Sequence, residues 1–169
     1  MGCRVATTRH KGESGNHETG RVKVRAWVVE QLAGIGALTL KELPDPAAPG
    51  AGEVTIAVSA VGLNYPDLLM LSGGYQFKPP LPFTPGMEGV GRIVAVGEGV
   101  SGELLGHRLL IGGRAGLLTE QLTLPLEGLR EVPDALDDAE AAGFTTGALT
   151  AWVALVPRGR LAAGEHVLV

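Results

Sequence analysis

The chain has 169 residues but only one cysteine, Cys3, and aromatic residues make up only 4% of it. A single cysteine cannot form a disulfide within the chain, so the composition favours a reducing compartment, and we expect a cytoplasmic protein. The sequence also lacks an apolar run long enough to cross a bilayer or to act as a signal peptide. We therefore expect no contact with a membrane.

Positive charge is scarce outside the N-terminus. The formal net charge is −4, yet residues 1–25 carry six basic and two acidic side chains, which leaves the remainder of the chain at −8. This acidic body of the chain, residues 26–169, argues against nucleic acid as a partner. Residues 1–23 show no hydrophobic periodicity, and we expect them to form a disordered basic tail.

Glycine is abundant, with 26 residues, which favours a β-rich fold with many tight turns. Alternating apolar residues predict several short strands, then two helices and one terminal strand. This order indicates a mainly β protein of the α+β class, an irregular β-barrel with C-terminal helices. The predicted strands span residues 25–30, 38–43, 53–63, 87–96, 108–111, 117–124 and 164–169, and the predicted helices span residues 137–142 and about 146–156, with Trp152 in the core.

The stretch 62–91 is the most informative part of the sequence. The chain leaves a strand at Asn64 and enters a short helix, where Asp67 suits the positive end of the helix dipole. A proline-rich loop containing Tyr75 follows, and another strand begins near Glu88. We expect Asn64, Tyr75 and Glu88 to line one cleft, with Glu88 as a hydrogen-bond anchor more than a catalyst.

One segment, G-E-G-V-S-G, matches the G-x-G-x-x-G pattern through Gly97, Gly99 and Gly102. A dinucleotide-binding loop needs a helix that opens at the third glycine, so that its N–H groups meet the pyrophosphate. Only three residues separate Gly102 from Gly106, which leaves no room for such a helix. The segment is therefore predicted to be a turn.

The same stretch resembles the quinone oxidoreductase branch of the medium-chain dehydrogenase/reductase superfamily. Members carry a similar N-x-x-D-x-x-x-x-x-G-x-Y segment, followed by P-x-x-P-G-x-E-x-x-G-x-V. The resemblance runs from about residue 24 to residue 169. The matching positions are Asn64, Asp67, Gly73, Tyr75, Pro82, Pro85, Gly86, Glu88, Gly91 and, one position late, Ile93 and Val94.

The resemblance implies a domain organisation. Residues 24–145 would form a GroES-like catalytic domain, and residues 146–169 would supply a connecting helix and the first strand of a nucleotide-binding Rossmann domain. The remainder of that domain is absent from the sequence, so we expect a truncated chain. We also expect an exposed apolar patch around residues 146–156 and 167–169.

The resemblance also implies a chemistry, the NADPH-dependent reduction of a quinone or enone. Zinc-dependent relatives have Cys-His and His-Glu where this chain has Asn64-Tyr65 and Met87-Glu88, so no metal site is expected. By resemblance, Asn64, Tyr75 and Asp67 are the candidate catalytic residues, and Asn64 and Thr150 would contact the cofactor.

Each of these residues also has a structural interpretation. Asn64 would cap the helix, and Asp67 would hold the helix start. Tyr75 would pack on the prolines of its loop, and Thr150 would be an ordinary helix residue at an inter-domain face.

Three interpretations of the whole chain remain open. It is a catalytic-domain fragment that needs the missing Rossmann domain or a partner chain, whose full-length form would be a homodimer. Alternatively, it is a non-catalytic, stand-alone GroES-like domain without redox activity. The third possibility, an enoyl-reductase module of a larger synthase, shares the same motifs.

Overall fold

A computed structural model describes residues 23–168. The predicted tail lies outside this range except for its last residue, and so do Cys3 and Val169. Within the described residues the strands are β1 (Lys23–Val29), β2 (Leu38–Pro44), β3 (Glu53–Gly62), β4 (Glu88–Val96), β5 (Arg108–Gly112), β6 (Gln121–Pro125) and β7 (Arg130–Glu131). The helices are α1 (Tyr65–Leu71), α2 (Asp138–Ala142) and α3 (Phe144–Val153). A π-helical turn spans Ala154–Arg158, and 3-10 turns span Ile35–Ala37 and Gly102–Leu104.

The strands form two antiparallel sheets. The larger has the order β6-β3-β4-β5-β7, and the smaller is the hairpin of β1 and β2. Backbone hydrogen bonds join the hairpin to loops of the larger sheet, because Trp27 N–H donates to Leu118 O at 2.8 Å and Val29 N–H donates to Phe83 O at 2.8 Å. The architecture is mixed and dominated by sheet, which confirms the predicted fold class.

The main core lies on the central strands β3 and β4. Val54 and Ile56 of β3 are both 0% exposed and pack with Ile93 of β4 and Leu117. Burial of such side chains contributes roughly 1.5–3 kcal/mol each. On the other face of β3, the Thr55 hydroxyl lies 2.8 Å from that of Thr123 on β6, so the polar side of the strand is also paired.

Helix α1 begins where the sequence predicts. Asn64 is its N-cap, with φ −119° and ψ 159°, and Pro66 lies in the first turn, where a missing N–H breaks no intrahelical bond. The helix ends at Leu71, and Gly73 follows with a φ of +74°. Helix α2 likewise begins after the cap Asp137, whose carboxylate accepts Glu140 N–H at 2.8 Å.

Two strand predictions differ from the structure. Strand β6 begins at Gln121, not at residue 117, because Leu117 N–H and Leu118 N–H donate to the carbonyls of Gly86 and Pro85. The predicted terminal strand, 164–169, is not formed over residues 164–168. A strand needs a neighbouring strand to pair with, and no partner strand lies beside this segment within the described residues.

The prediction that Trp152 lies in the core was wrong, since its side chain is 56% exposed. Helix α3 is apolar but contacts little except α2 and the turn that follows it. We call the exposed apolar side chains of α3 and of the turn after it the α3 face; they are Phe144, Leu149, Trp152, Val153 and, in the turn, Val156. The expected apolar patch is therefore present, and Leu168 beyond it is 99% exposed.

The segment with the G-x-G-x-x-G pattern is a turn, as predicted. Gly102 opens a 3-10 turn of only three residues, and Gly99 has a φ of +78°. A side chain on Gly97 would overlap the backbone carbonyl of Gly50 and lie 2.9 Å from Pro49 O. The glycine at position 97 is thus explained by a close approach of two backbone segments.

We predict that Gly97→Ala lowers the free energy of unfolding by about 1–3 kcal/mol, because the new methyl group forces two backbone segments apart. Gly102→Ala is the matched control, since a Cβ there meets nothing within 4 Å. Urea unfolding followed by circular dichroism measures both. Equal stability of the two variants would contradict the close approach.

We also predict that Trp152→Ser reduces the fluorescence of a hydrophobic dye bound to the chain, with a change in unfolding free energy of less than about 0.5 kcal/mol. The reason is that Trp152 lies on the exposed α3 face. In the control Ile56→Ala, loss of a fully buried side chain should cost about 2–5 kcal/mol. Unchanged dye fluorescence in Trp152→Ser would contradict binding of the dye at the α3 face.

Candidate functional site

The site is built around Asn64, where β3 passes into α1. The Asn64 backbone N–H donates to Asp67 Oδ2 at 2.9 Å, and its side-chain Nδ2 donates to Glu88 Oε1 at 2.8 Å. Asp67 and Glu88 are only 4% and 3% exposed. Two buried carboxylates therefore hold Asn64, one through the backbone and one through the side chain.

Asp67 ties the start of α1 to the strand that follows the proline-rich loop. Its second oxygen, Oδ1, accepts Gly86 N–H at 3.2 Å. Burial raises the pKa of the Asp67 carboxyl above its ordinary value of 3.8; the two N–H bonds oppose this shift, and the nearby Glu88 carboxylate adds to it. These contacts favour the structural interpretation of Asp67, since both of its carboxylate oxygens accept hydrogen bonds from backbone N–H groups.

Glu88 links the site to α3. Its Oε2 accepts Thr146 N–H, in the first turn of α3, at 2.7 Å. That N–H has no partner within the helix, and a carboxylate is favourable at a helix N-terminus. The expectation that Glu88 is a hydrogen-bond anchor is thus confirmed by its contacts.

Asn64 and Asp67 line an apolar cleft of about 930 Å³ between the β1–β2 hairpin, α1 and the loop before β6. Pockets of this size, with few polar groups, are typical of small-molecule sites. Several of the apolar side chains on its wall are at least 40% exposed, so they lie open on the surface of the chain. They are Trp27, Ile35, Leu40, Leu63, Tyr65 and Leu68.

An ion pair lies at another part of the cleft wall. Arg25 Nε donates to Glu120 Oε1 at 2.8 Å, Arg25 Nη2 contacts the same oxygen, and Arg25 backbone N–H donates to Glu120 Oε2 at 2.8 Å. The hydrogen bond from Arg25 lowers the pKa of Glu120 below its ordinary value. The cleft therefore combines a long apolar wall with two polar sites, Asn64 and the Arg25–Glu120 pair.

Sequence reasoning missed the contribution of the hairpin. Strand alternation alone places Arg25 and Trp27 on one face of β1, opposite the buried Ala26 and Val28. That signal was available in the sequence. The pairing with Glu120 was not, because 95 residues separate the two partners.

The expectation that Asn64, Tyr75 and Glu88 line one cleft was wrong for two of the three, since neither Tyr75 nor Glu88 lines it. Thr150 does not line it either. Tyr75 is half-buried and packs against a separate apolar cluster that includes Met70 and Phe83. Thr150 is exposed on α3. The structure thus brings together Asn64, Asp67 and Glu88 and leaves Tyr75 and Thr150 apart from them; the catalytic and cofactor roles of these residues remain predictions.

Within residues 23–168, no three His, Cys, Asp or Glu side chains are arranged to hold a metal ion. Over the same range, no helix is both long and apolar enough to cross a membrane. His107 lies 2.7 Å from Glu131 at the surface. Cys3, His10 and His17, whose side chains are of types that bind metals, lie outside the described residues.

Comparison with known proteins gives consistent similarities. Residues 50–161 match the alcohol dehydrogenase GroES-like domain family. The chain is 42% identical over 147 residues to the rat synaptic vesicle membrane protein VAT-1 homolog, covering 86% of this chain and 36% of that protein. It is 33% identical over 165 residues to a quinone oxidoreductase-like protein 2 homolog of Nematostella vectensis, covering 97% of this chain and 45% of that protein.

Among solved structures, the quinone oxidoreductase of Thermus thermophilus, also determined in complex with NADPH, matches with a TM-score of 0.67 and 35% identity. The match covers 83% of this chain and 43% of that chain. A structure of the human VAT-1 homolog-like protein matches with a TM-score of 0.77 and 31% identity, covering 85% and 46%. The chain thus spans less than half the length of each of these four proteins.

We predict that Asp67→Ala lowers the free energy of unfolding by about 2–4 kcal/mol, because two backbone N–H groups lose their acceptor. The raised pKa means that the folded chain binds a proton more tightly than the unfolded chain. The stability contributed by Asp67 is therefore greatest below pH 3.8 and falls as the pH rises through the folded-state pKa. The loss caused by the mutation should be larger near pH 4 than at pH 7.

Urea unfolding at both pH values measures this loss. The matched control is Asp137→Ala, which removes an exposed helix cap and should cost about 1 kcal/mol. If Asp67→Ala cost no more than Asp137→Ala, or if its cost grew toward neutral pH, the account of Asp67 would be wrong.

Proposed function

Because the chain belongs to the alcohol dehydrogenase GroES-like domain family, we propose that it is the substrate-binding half of an NADPH-dependent reductase of quinones or enones. The observation that carries this proposal is the apolar cleft of about 930 Å³ with Asn64 in its wall. It is supported by quinone oxidoreductase-like proteins among the relatives and structural neighbours.

The cleft suits an electron-poor, largely apolar acceptor. A flat aromatic quinone would be desolvated against Trp27, Leu40 and Leu68, while Asn64 offers the amide N–H that Glu88 does not use. That N–H would orient an acceptor carbonyl by a hydrogen bond. When bound, NADPH would supply the hydride, which is the difficult part of the chemistry.

Of the cofactor, we propose that the described residues meet only the nicotinamide end. Asn64 would contact it from the wall of the cleft, whereas Thr150, which is exposed on α3 outside the cleft, would contact it only from the side of the α3 face. The turn at Gly97 opens no helix that would bind the phosphates. We therefore propose that the phosphates are held by a nucleotide-binding half, which would cover the α3 face.

We further propose that the reaction proceeds without zinc. At the site, the amide of Asn64 and the carboxylate of Glu88 are hydrogen-bonded to each other at 2.8 Å. A carboxamide is a poor zinc ligand compared with thiolate or imidazole. An already electron-poor acceptor has less need of a Lewis acid than a simple ketone does.

We predict that 1,4-naphthoquinone binds the 169-residue chain and quenches its tryptophan fluorescence. The chain has two tryptophans, of which Trp27 lines the cleft and Trp152 lies on the α3 face. Trp27→Phe should abolish most of the saturable quenching, whereas the control Trp152→Phe should retain it. Asn64→Ala should weaken binding about tenfold, which corresponds to the loss of one hydrogen bond.

Measuring NADPH oxidation in the presence of the quinone distinguishes a catalytic-domain fragment from a non-catalytic GroES-like domain. We expect negligible NADPH oxidation by this chain alone, and oxidation when a nucleotide-binding half is supplied in the same polypeptide. If that longer polypeptide bound the quinone but never oxidised NADPH, the non-catalytic GroES-like domain would be the better interpretation. If the quinone did not quench the fluorescence of the unmodified chain saturably, the proposal that the cleft binds the acceptor would be wrong.

A further inference from the structure

Glu88 is a buried acid whose two carboxylate oxygens accept hydrogen bonds from two different parts of the fold. Oε1 accepts Asn64 Nδ2 at 2.8 Å, and Oε2 accepts Thr146 N–H at 2.7 Å. Within residues 23–168, no lysine or arginine forms an ion pair with it. A buried carboxylate without a cation is costly unless hydrogen bonds satisfy it, so these two bonds are its main compensation.

The fold makes room for this carboxylate at Gly62. A Cβ on Gly62 would lie 2.9 Å from both Cγ and Oε1 of Glu88, and it would overlap the carbonyl oxygen of Ala142. Any side chain at position 62 would therefore push Glu88 away from Asn64 or push α2 away from the sheet. The end of β3, the start of β4 and the start of α3 meet at this point.

We propose that Glu88 is a positioning residue, which sets the orientation of the Asn64 carboxamide in the cleft. A carboxylate offers only acceptors, so the amide nitrogen must face it, and an amide oxygen in that place would be repelled. The side-chain dihedrals of Asn64 are thereby fixed before a ligand arrives, which lowers the entropy lost on binding. The consequence for ligand affinity rests on the proposed function, but the orientation itself does not.

The orientation can be measured on the chain without any ligand. Asn16 and Asn64 are its only asparagines, so the side-chain amide signals in a ¹H–¹⁵N spectrum are few, and Asn64→Ala identifies the pair that belongs to Asn64. We expect an Asn64 proton shifted downfield by the charged acceptor and exchanging slowly with solvent. In Glu88→Ala this shift should be lost and exchange should accelerate by at least about tenfold, the factor that corresponds to loss of one hydrogen bond.

Glu88→Gln tests the same point in a variant that keeps the shape of the side chain. The neutral acceptor makes a weaker bond, so the Asn64 signal should move toward that of a free amide even if the fold is unchanged. Glu140→Gln is the matched control, because Glu140 also accepts a backbone N–H, that of Asp137 at 3.1 Å, but contacts no asparagine. An Asn64 signal that stays in place in Glu88→Gln would overturn the proposal.

A double-mutant cycle on naphthoquinone binding then separates positioning from general stability. If Glu88 acts through Asn64, Glu88→Gln should weaken binding by up to about tenfold in the normal background but not in the Asn64→Ala background. Equal effects in both backgrounds would overturn the role in ligand affinity. If the unmodified chain does not bind the quinone, the proposed function fails, whereas the amide spectra still decide whether Glu88 orients Asn64.

Discussion

The burial of two carboxylates beside one asparagine is the constraint on which the site depends. Asp67 and Glu88 are almost completely removed from solvent, and within residues 23–168 their hydrogen bonds come from N–H groups, not from cations. Such groups are stable only if their donors are fixed, so the end of β3 and the starts of α1, β4 and α3 must meet with little freedom. The same bonds that satisfy the carboxylates hold Asn64 at the cleft.

The sheet supplies the rigidity that this arrangement needs. The central strands bury Val54, Ile56 and Ile93, while glycines allow close approaches at both ends of these strands. Gly62 leaves space for the Glu88 carboxylate, and Gly97 lets the turn after β4 touch the loop before β3. These glycines are therefore explained by packing, and not by a phosphate ligand.

The chain presents two apolar surfaces with different characters. The cleft is concave and carries Asn64 and the Arg25–Glu120 pair, which suits the recognition of a small molecule. The α3 face is a run of exposed apolar side chains on α3 and the turn after it, which suits contact with another folded unit. Glu88 touches Asn64 on the side of the cleft and Thr146 at the start of α3. The proposed division into an acceptor site and a surface for a nucleotide-binding half follows from this difference.

Local chemistry was enough to predict much of the fold. Alternation of apolar residues located most strands, and the residues around Asn64 and Asp67 located the start of α1, because strand and helix-start signals act over a few neighbouring positions. The asparagine and the acids of the site were also visible in the motif. Their partners were not, since Glu88 meets Asn64 and Thr146 across 24 and 58 residues.

Burial likewise depends on which elements pack together, so Trp152 was misplaced in the core, and the strand predicted at residues 164–169 is not formed over residues 164–168. The sequence alone therefore determined most of the elements, the acidic body and the identity of the polar side chains. Only the tertiary structure decided which of those side chains meet, because contacts between distant segments depend on how the whole sheet folds.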